Sequence, residues 1–397
     1  MIKVIALVDC DSFFVSCEQK ARPEFKNRPV CVLTSVNNKG VVVSRSKEAK
    51  ALGIKMGAPY FQIKEMANQV IFLPARHDWY DKVSSDVMRV VKTFSPDVEV
   101  VSVDEAFIDL TGLNKFYNKS YTDIIKDIRS KVLEEVDIPV SIGLSTSKTL
   151  AKLASDKAKK TGGIFVIRPD KISETISDIL MHEVSGVGKS TAETLAYENI
   201  NTIGDFLKKD MLWIKKELGL VGERLKYELM GQAINLVNPK EEKPQSIQDS
   251  KTFDDFSNDV QFLHSRVGMH VHNTSQKLRA LGGYCAAIGV MLRTKTFQTY
   301  EKEIRLSMPT NSERTLAKQA HSLVDLLYKQ GLFYRSIGVT LKHLQFGETP
   351  QLALFDSPKV EDDKISHLID ELETKFGKNV IKFGSLIQSH FNLICVH

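Results

Sequence analysis

The sequence predicts a multidomain α+β protein, and three observations carry that prediction. Residues 1–166 alternate β-branched apolar runs with apolar positions at helical spacing, residues 170–233 read as short helices punctuated by glycine, and beyond a polar break helices and strands alternate again. At 397 residues the chain has room for about two to four domains. With 42% apolar residues and a formal net charge of +5, the composition is that of a folded globular protein and excludes a disordered one.

In order, residues 3–8 are apolar and β-branched and predict a strand. A helix over 13–24 follows the polar pair Asp11-Ser12, with Asp11 as its expected N-cap. Residues 41–43 and 71–73 predict short buried strands, and 79–94 has helical spacing. The β-rich runs 98–103 and 106–110 are separated only by Asp104-Glu105, which predicts a hairpin with acids at its tip. A helix over 121–136, a strand at 140–143, a helix over 147–159 and a strand at 164–167 complete a βαββαβ unit, for which an antiparallel sheet backed by helices is expected. The polar stretch 238–246 breaks every periodicity and reads as a linker. After it come a helix over 260–280, strands at 284–297 and 301–308, a helix over 313–329 and a strand at 335–343.

The five cysteines are scattered, with no CxxC pair, so neither a disulfide scaffold nor a zinc site is expected. No stretch approaches the ~18 apolar residues of a membrane helix, and the opening residues lack the pattern of an export signal. A cytoplasmic protein with no membrane partner is therefore expected. Charge is uneven: residues 244–345 carry 13 Lys+Arg against 8 Asp+Glu, and residues 346–397 carry 5 against 8. The surplus in the former suits a polyanion partner as well as an ordinary solvated face.

Asp9 ends the first predicted strand, and Asp104 with Glu105 caps the hairpin. If that strand lies beside the hairpin, three carboxylates converge at one sheet edge and repel one another unless cations neutralise them. Hard oxygen ligands select Mg²⁺ or Mn²⁺. Two such ions, about 4 Å apart, activate a hydroxyl and stabilise a leaving oxygen in an in-line displacement. An acidic pair at a hairpin tip is also simply a favourable solvated turn.

Longer signatures surround these acids. The segment 9–18, Asp-Cys-Asp-Ser-Phe-Phe-Val-Ser-Cys-Glu, together with 102–109, Ser-Val-Asp-Glu-Ala-Phe-Ile-Asp, resembles the catalytic signatures of Y-family DNA polymerases, the lesion-bypass enzymes. The resemblance continues through 43–57 and 141–155, covers roughly residues 1–355 and is nearest the UmuC branch. It implies a right-hand polymerase with a ferredoxin-like palm (1–10 and 77–166), small fingers (11–76), a helical thumb with a helix-hairpin-helix (167–233), a linker (234–245), an α+β little finger (246–345) and a C-terminal tail (346–397). The implied activity is low-fidelity translesion synthesis in an SOS-type damage response, by two-metal transfer of a nucleotide to a primer. The competing class is a catalytically inactive, clamp-recruited DNA-binding relative, against which the intact acids argue.

The resemblance assigns Asp9, Asp104 and Glu105 as catalytic metal carboxylates, with the main-chain carbonyl of Cys10 completing one ion's shell; two Mg²⁺ are implied, with Mn²⁺ as a substitute. Phe14 falls at the steric gate beneath the incoming sugar, although Phe13 or Phe14 could equally face the core. Lys47, Lys50 and Lys159 fall near the triphosphate, the first two standing where many relatives carry Tyr and Arg. Gly186 and Gly188 lie in a hairpin whose backbone N–H groups would meet a DNA phosphate. In the little finger, strand alternation leaves Arg293, Lys295, Arg305 and Lys342 on a face expected to lie along primer-template DNA. In the tail, Gln351, Leu352, Leu354 and Phe355 resemble a peptide that docks into the bacterial sliding clamp. Deoxynucleoside triphosphates, accessory SOS proteins and a place on the nucleoid complete the implied partners.

Overall fold

Six consecutive buried residues, Ile5–Cys10, form strand β1, and a run buried on both faces belongs in the middle of a covered sheet. The computed structural model describes residues 2–37, 39–240, 242–347 and 360–377, in two units that divide between residues 241 and 242. In the first unit β1 leads into α1 (Phe13–Ala21), β2 (Val30–Leu33), β3 (Val42–Arg45), α2 (Lys47–Ala51), α3 (Tyr60–Ile63), β4 (Ile71–Pro74) and α4 (His77–Lys92). Next come β5 (Val98–Val100), β6 (Glu105–Asp109), α5 (Leu113–Tyr117), α6 (Tyr121–Val136), β7 (Val140–Ser145), α7 (Lys148–Ala158) and β8 (Ile164–Val166).

The main sheet has the order β5-β6-β1-β7-β8. Its pairs are antiparallel, as expected, except that β8 joins β7 in parallel, because α7 carries the chain back across the sheet before β8 begins. Alternation along β1 divides the core. Ala6, Val8 and Cys10 pack with α4 and α6 residues such as Val87, Ile124 and Ile128, whereas Ile5 and Leu7 meet Ala151 of α7. Asp9 has the parity of Ile5 and Leu7, so it falls on the α7 face. A second, three-stranded sheet has the order β3-β2-β4. Its strand β2 is a wholly buried run of four residues that the sequence reading passed over.

Helix α7 lies unusually close to β7. A Cβ on Gly143 would come 2.1 Å from the Ser155 nitrogen and 2.2 Å from the Ala151 oxygen, so only glycine permits this approach. Helices α8 (Ile172–Ile176), α9 (Lys189–Tyr197), α10 (Ile203–Lys208) and α11 (Met211–Leu229) then pack around Phe206, Leu195 and Leu229, sharing Leu150, Leu153 and Ala154 with α7. Buried Glu228 ties the two together: its carboxylate accepts from the Thr149, Ile234 and Asn235 amides, and its carbonyl accepts from Ser147 Oγ.

The second unit contains β9 (Ser246–Ser257), α12 (Val260–Ala280), β10 (Gly283–Thr294), β11 (Thr299–Thr310), α13 (Glu313–Leu327), β12 (Tyr334–Phe346) and α14 (Val360–Phe376). The sheet order is β11-β10-β12-β9, antiparallel throughout. Its core joins Ile288, Val290, Ile337 and Val339 to Leu263, Val267 and Leu316 of the helices. Strand β9 begins where the linker was expected to end. It is an edge strand in which only Ile247 and Phe253 are buried, so its composition reads as loop.

Candidate active site

The register of β1 against β6 sets Asp9 directly opposite Glu105, and opposed residues in an antiparallel pair project to the same face. One residue further, the Cys10 amide donates to the Asp104 carbonyl at 2.9 Å. Asp9, Cys10, Asp104 and Glu105 are thus gathered at one end of the central strand. Glu105 lies within β6 and not in the turn as expected; the connecting residues are 101–104. The three carboxyl groups are not equally poised. Asp104 accepts from Ser102 Oγ at 2.5 Å, and among the described residues no three His, Cys, Asp or Glu side chains converge closely enough to cage an ion by themselves.

The close seating of α7 brings in two lysines. Lys152 Nζ lies 2.8 Å from Asp9 Oδ2 and also donates to Glu105 Oε1, and Lys159 Nζ lies 2.8 Å from the same Asp9 oxygen. Burial opposes ionisation of Asp9, but the two lysines outweigh it and hold its carboxyl below the usual range. Glu105 is pushed upward, first by burial and then by Asp9, with Lys152 opposing. Burial also works against the charge on Lys152, and Asp9 with Glu105 reverses that and raises its pKa. Sequence reasoning missed Lys152. Its one signal was the seven-residue spacing from Lys159, which puts both on one side of two helical turns.

The donor set fits a hard divalent cation: carboxylate oxygens from adjacent strands, with a cationic ammonium already held between two of them. Asp11 plays another part. It was expected to cap α1, yet the chain enters that helix through Ser12 in the left-handed region with no side-chain cap. The Asp11 carboxylate instead accepts from Ser141 Oγ at 2.8 Å across the β1–β7 pair.

Phe13 is buried, whereas Phe14 is half-buried and stacks on Tyr80, with ring centroids 4.5 Å apart and planes 16° from parallel. Tyr80 donates to Glu18, which also takes a two-pronged bond from Arg76, so the ring beneath Phe14 is fixed. Lys47 and Lys50 are exposed on α2, whose N-cap Ser46 accepts from the Ala49 amide. Gly186 adopts φ +91°, and Gly188 is the N-cap of α9; a Cβ on either would meet nothing within 4 Å, so the hairpin is open on that side.

In the second unit, Arg293 donates to Thr299 Oγ1, Arg305 pairs across from Ala287, and Lys342 forms an ion pair with Glu303 at 2.6 Å. Glu301 and Glu303 occupy register positions on the same open face, so it is less basic than its cations alone suggest. Lys295 departs from the expectation: it follows the last strand residue and sits in the turn, its ammonium 5.4 Å from the Phe256 ring centre. Gln351, Leu352, Leu354 and Phe355 lie outside the described residues.

A βαββαβ sheet with acids at the end of its central strand, a helical region with a glycine hairpin and a separate four-stranded unit make up the fold of the right-hand polymerases. Solved structures share this fold. A Y-family DNA polymerase chimera of Dbh and Dpo4 matches with a TM-score of 0.76 at 23% identity, covering 87% of this chain and all of that one. A Dbh DNA polymerase in an insertion ternary complex matches at 0.58 and 24% with the same coverage. The profile of the impB/mucB/samB family matches residues 8–156, and that of the family's C-terminal domain matches residues 244–354. Protein UmuC of Salmonella typhimurium strain LT2 is 32% identical over 396 residues, spanning 96% of this chain and 93% of the relative. DNA polymerase IV of Bacillus velezensis is 29% identical over 97% of this chain and 94% of its own length. The chain belongs to the impB/mucB/samB family.

Proposed function

We propose that this protein is a template-directed Y-family DNA polymerase that extends primers past damaged bases with low fidelity, and that its chemistry lies at Asp9, Asp104 and Glu105. The observation that carries the site assignment is the Asp9–Glu105 register at the end of the central strand, with Asp104 bonded through its backbone to Cys10. Two Mg²⁺ ions bound there, or Mn²⁺ in their place, would activate the primer 3′-hydroxyl and stabilise the departing pyrophosphate. The carboxylates, joined by the Cys10 carbonyl, would hold the ions.

The protein's own groups position the rest. Lys159 stands beside Asp9 and, with Lys47 and Lys50 from α2, supplies positive charge for a triphosphate. Phe14, braced by Tyr80, offers a flat wall that a 2′-hydroxyl would overlap. Backbone amides at Gly186 and Gly188 and the cations Arg293, Lys295, Arg305 and Lys342 would track the DNA backbone. Gln351, Leu352, Leu354 and Phe355 would tether the enzyme to a bacterial sliding clamp, raising its residence on the template. The setting would be the cytoplasm, at the nucleoid, with SOS accessory proteins as further partners.

Extension of a labelled primer over intact and abasic templates, with Mg²⁺ and all four deoxynucleotides, tests this. Product beyond the lesion is the expected result. Cleaved primer would show a nuclease, and primer bound but unchanged would show an inactive relative; either outcome overturns the proposal.

A further inference from the structure

We infer that Lys152 is a built-in counter-ion that occupies the space between the metal carboxylates in the resting enzyme and must be displaced before a divalent ion can enter. The inference rests on the reading of Asp9, Asp104 and Glu105 as metal carboxylates, and it gives Lys152 a positioning role that this reading does not contain. One ammonium bonds two carboxylates on neighbouring strands, Asp9 at 2.8 Å and Glu105. Its side chain is only 20% exposed, and its backbone is pinned by the glycine-dependent contact of α7 with β7. Asp104, by contrast, is satisfied by Ser102 and stands outside the bridge.

Two like charges on facing strands need a neutralising group when no metal is present, and Lys152 supplies it. An ammonium and a divalent ion drawn to the same pair of carboxylates repel each other at such short range, so occupancy by one disfavours the other. Lysine suits this task because its charge rides on a flexible four-carbon stem and can swing clear without moving the helix. An incoming triphosphate offers the released ammonium a new anionic partner. Metal and nucleotide should therefore assist each other's binding, each favouring the state in which Lys152 has left the carboxylates. Metal alone faces the lysine as competitor, so it binds and displaces Lys152 more weakly than it does once substrate is present.

The test is Mn²⁺ binding to the full chain without DNA or nucleotide, followed by electron paramagnetic resonance of the unbound ion. Lys152→Met keeps the length of the stem and removes the charge. It should bind Mn²⁺ about tenfold or more tightly than the native protein, whereas Lys152→Arg should stay close to native. A non-hydrolysable deoxynucleoside triphosphate should then tighten Mn²⁺ binding more in the native protein than in Lys152→Met. Equal or weaker Mn²⁺ binding by a folded Lys152→Met overturns the inference. Should that variant not fold, acetylation footprinting of the native chain decides: Mn²⁺ should speed modification of Lys152, and an unchanged or slower rate overturns the inference. Asp104→Asn separates this from the underlying reading, because Asp104 does not touch Lys152. If Asn at that position leaves Mn²⁺ binding intact, the carboxylate assignment itself falls, and the inference with it.

Discussion

At the scale of single residues, the acids were legible and their partners were not. Asp9, Asp104 and Glu105 stand at a strand end and a hairpin, places that sequence patterning finds readily, and family signatures surround them. Lys152 is one lysine among several on an ordinary amphipathic helix, and only the register of β1, β6 and β7 beneath α7 gives it two acidic neighbours. The choice between Phe13 and Phe14 likewise needed the structure. Phe13 fills the core, and Phe14 stands half-open on Tyr80. Replacing Phe14 with Ala should therefore admit ribonucleotides, and discrimination against them in single-nucleotide incorporation should fall about tenfold or more. Unchanged sugar selection would remove Phe14 from the gate. The stacked pair is also worth about 1 kcal/mol of packing, so a small loss of stability should accompany the change.

At the scale of elements, helices with clear spacing were read closely, α6 and α12 to the residue, whereas elements defined by pairing were not. Strand β9 escaped because an edge strand with one open face can be as polar as a loop. β2 escaped because four consecutive buried residues, Val30–Leu33, carry no periodicity. The contact of α7 with β7 is where an element positions the chemistry. Gly143→Ala forces a methyl into backbone atoms of α7, which should cost about 3 kcal/mol and lift Lys152 and Lys159 from Asp9. Denaturant unfolding and polymerase rate should fall together; an active variant of native stability would show that this contact does not hold the site.

Helix α14 docks through charge. His272 lies between Glu313 at 3.0 Å and Glu373 at 3.1 Å, while Arg279 makes a two-pronged bond to Asp370. With an acceptor on each ring nitrogen, both hydrogen bonds form only when the imidazole is protonated. Glu313 foremost raises its pKa, burial opposes, and Glu373 adds to the rise. A raised folded-state pKa means that the stabilisation is full below the unfolded value of about 6.5 and is lost as pH rises through the folded value. Hydrogen exchange of residues 364–376, corrected for intrinsic rates, should show protection decreasing above neutral pH, and His272→Gln should abolish that dependence. Protection that rises with pH would reverse the assignment.

At the scale of the whole molecule, the two units answer to different demands. The first gathers carboxylates and lysines on one face of its central sheet, so its function depends on a register accurate to one residue. The second offers an open sheet face with Arg293, Arg305 and Lys342, balanced by Glu301 and Glu303, which suits contact with a uniform backbone better than readout of particular bases. Most of the order of helices and strands was visible in the sequence because hydrophobic period is a local signal. The balance of charge on the open face was not, because it depends on which strands become neighbours.

The central claim is that carboxylates brought together by the β1–β6 register carry out metal-assisted nucleotidyl transfer. Single-turnover incorporation of one deoxynucleotide with Mg²⁺, comparing the native chain with Asp104→Asn, tests it most directly. Asp104 makes no ion pair among the described residues, so the variant should fold normally. Its rate should fall by about 100-fold or more while primer-template binding persists. A variant that incorporates nucleotide at the native rate would contradict the account.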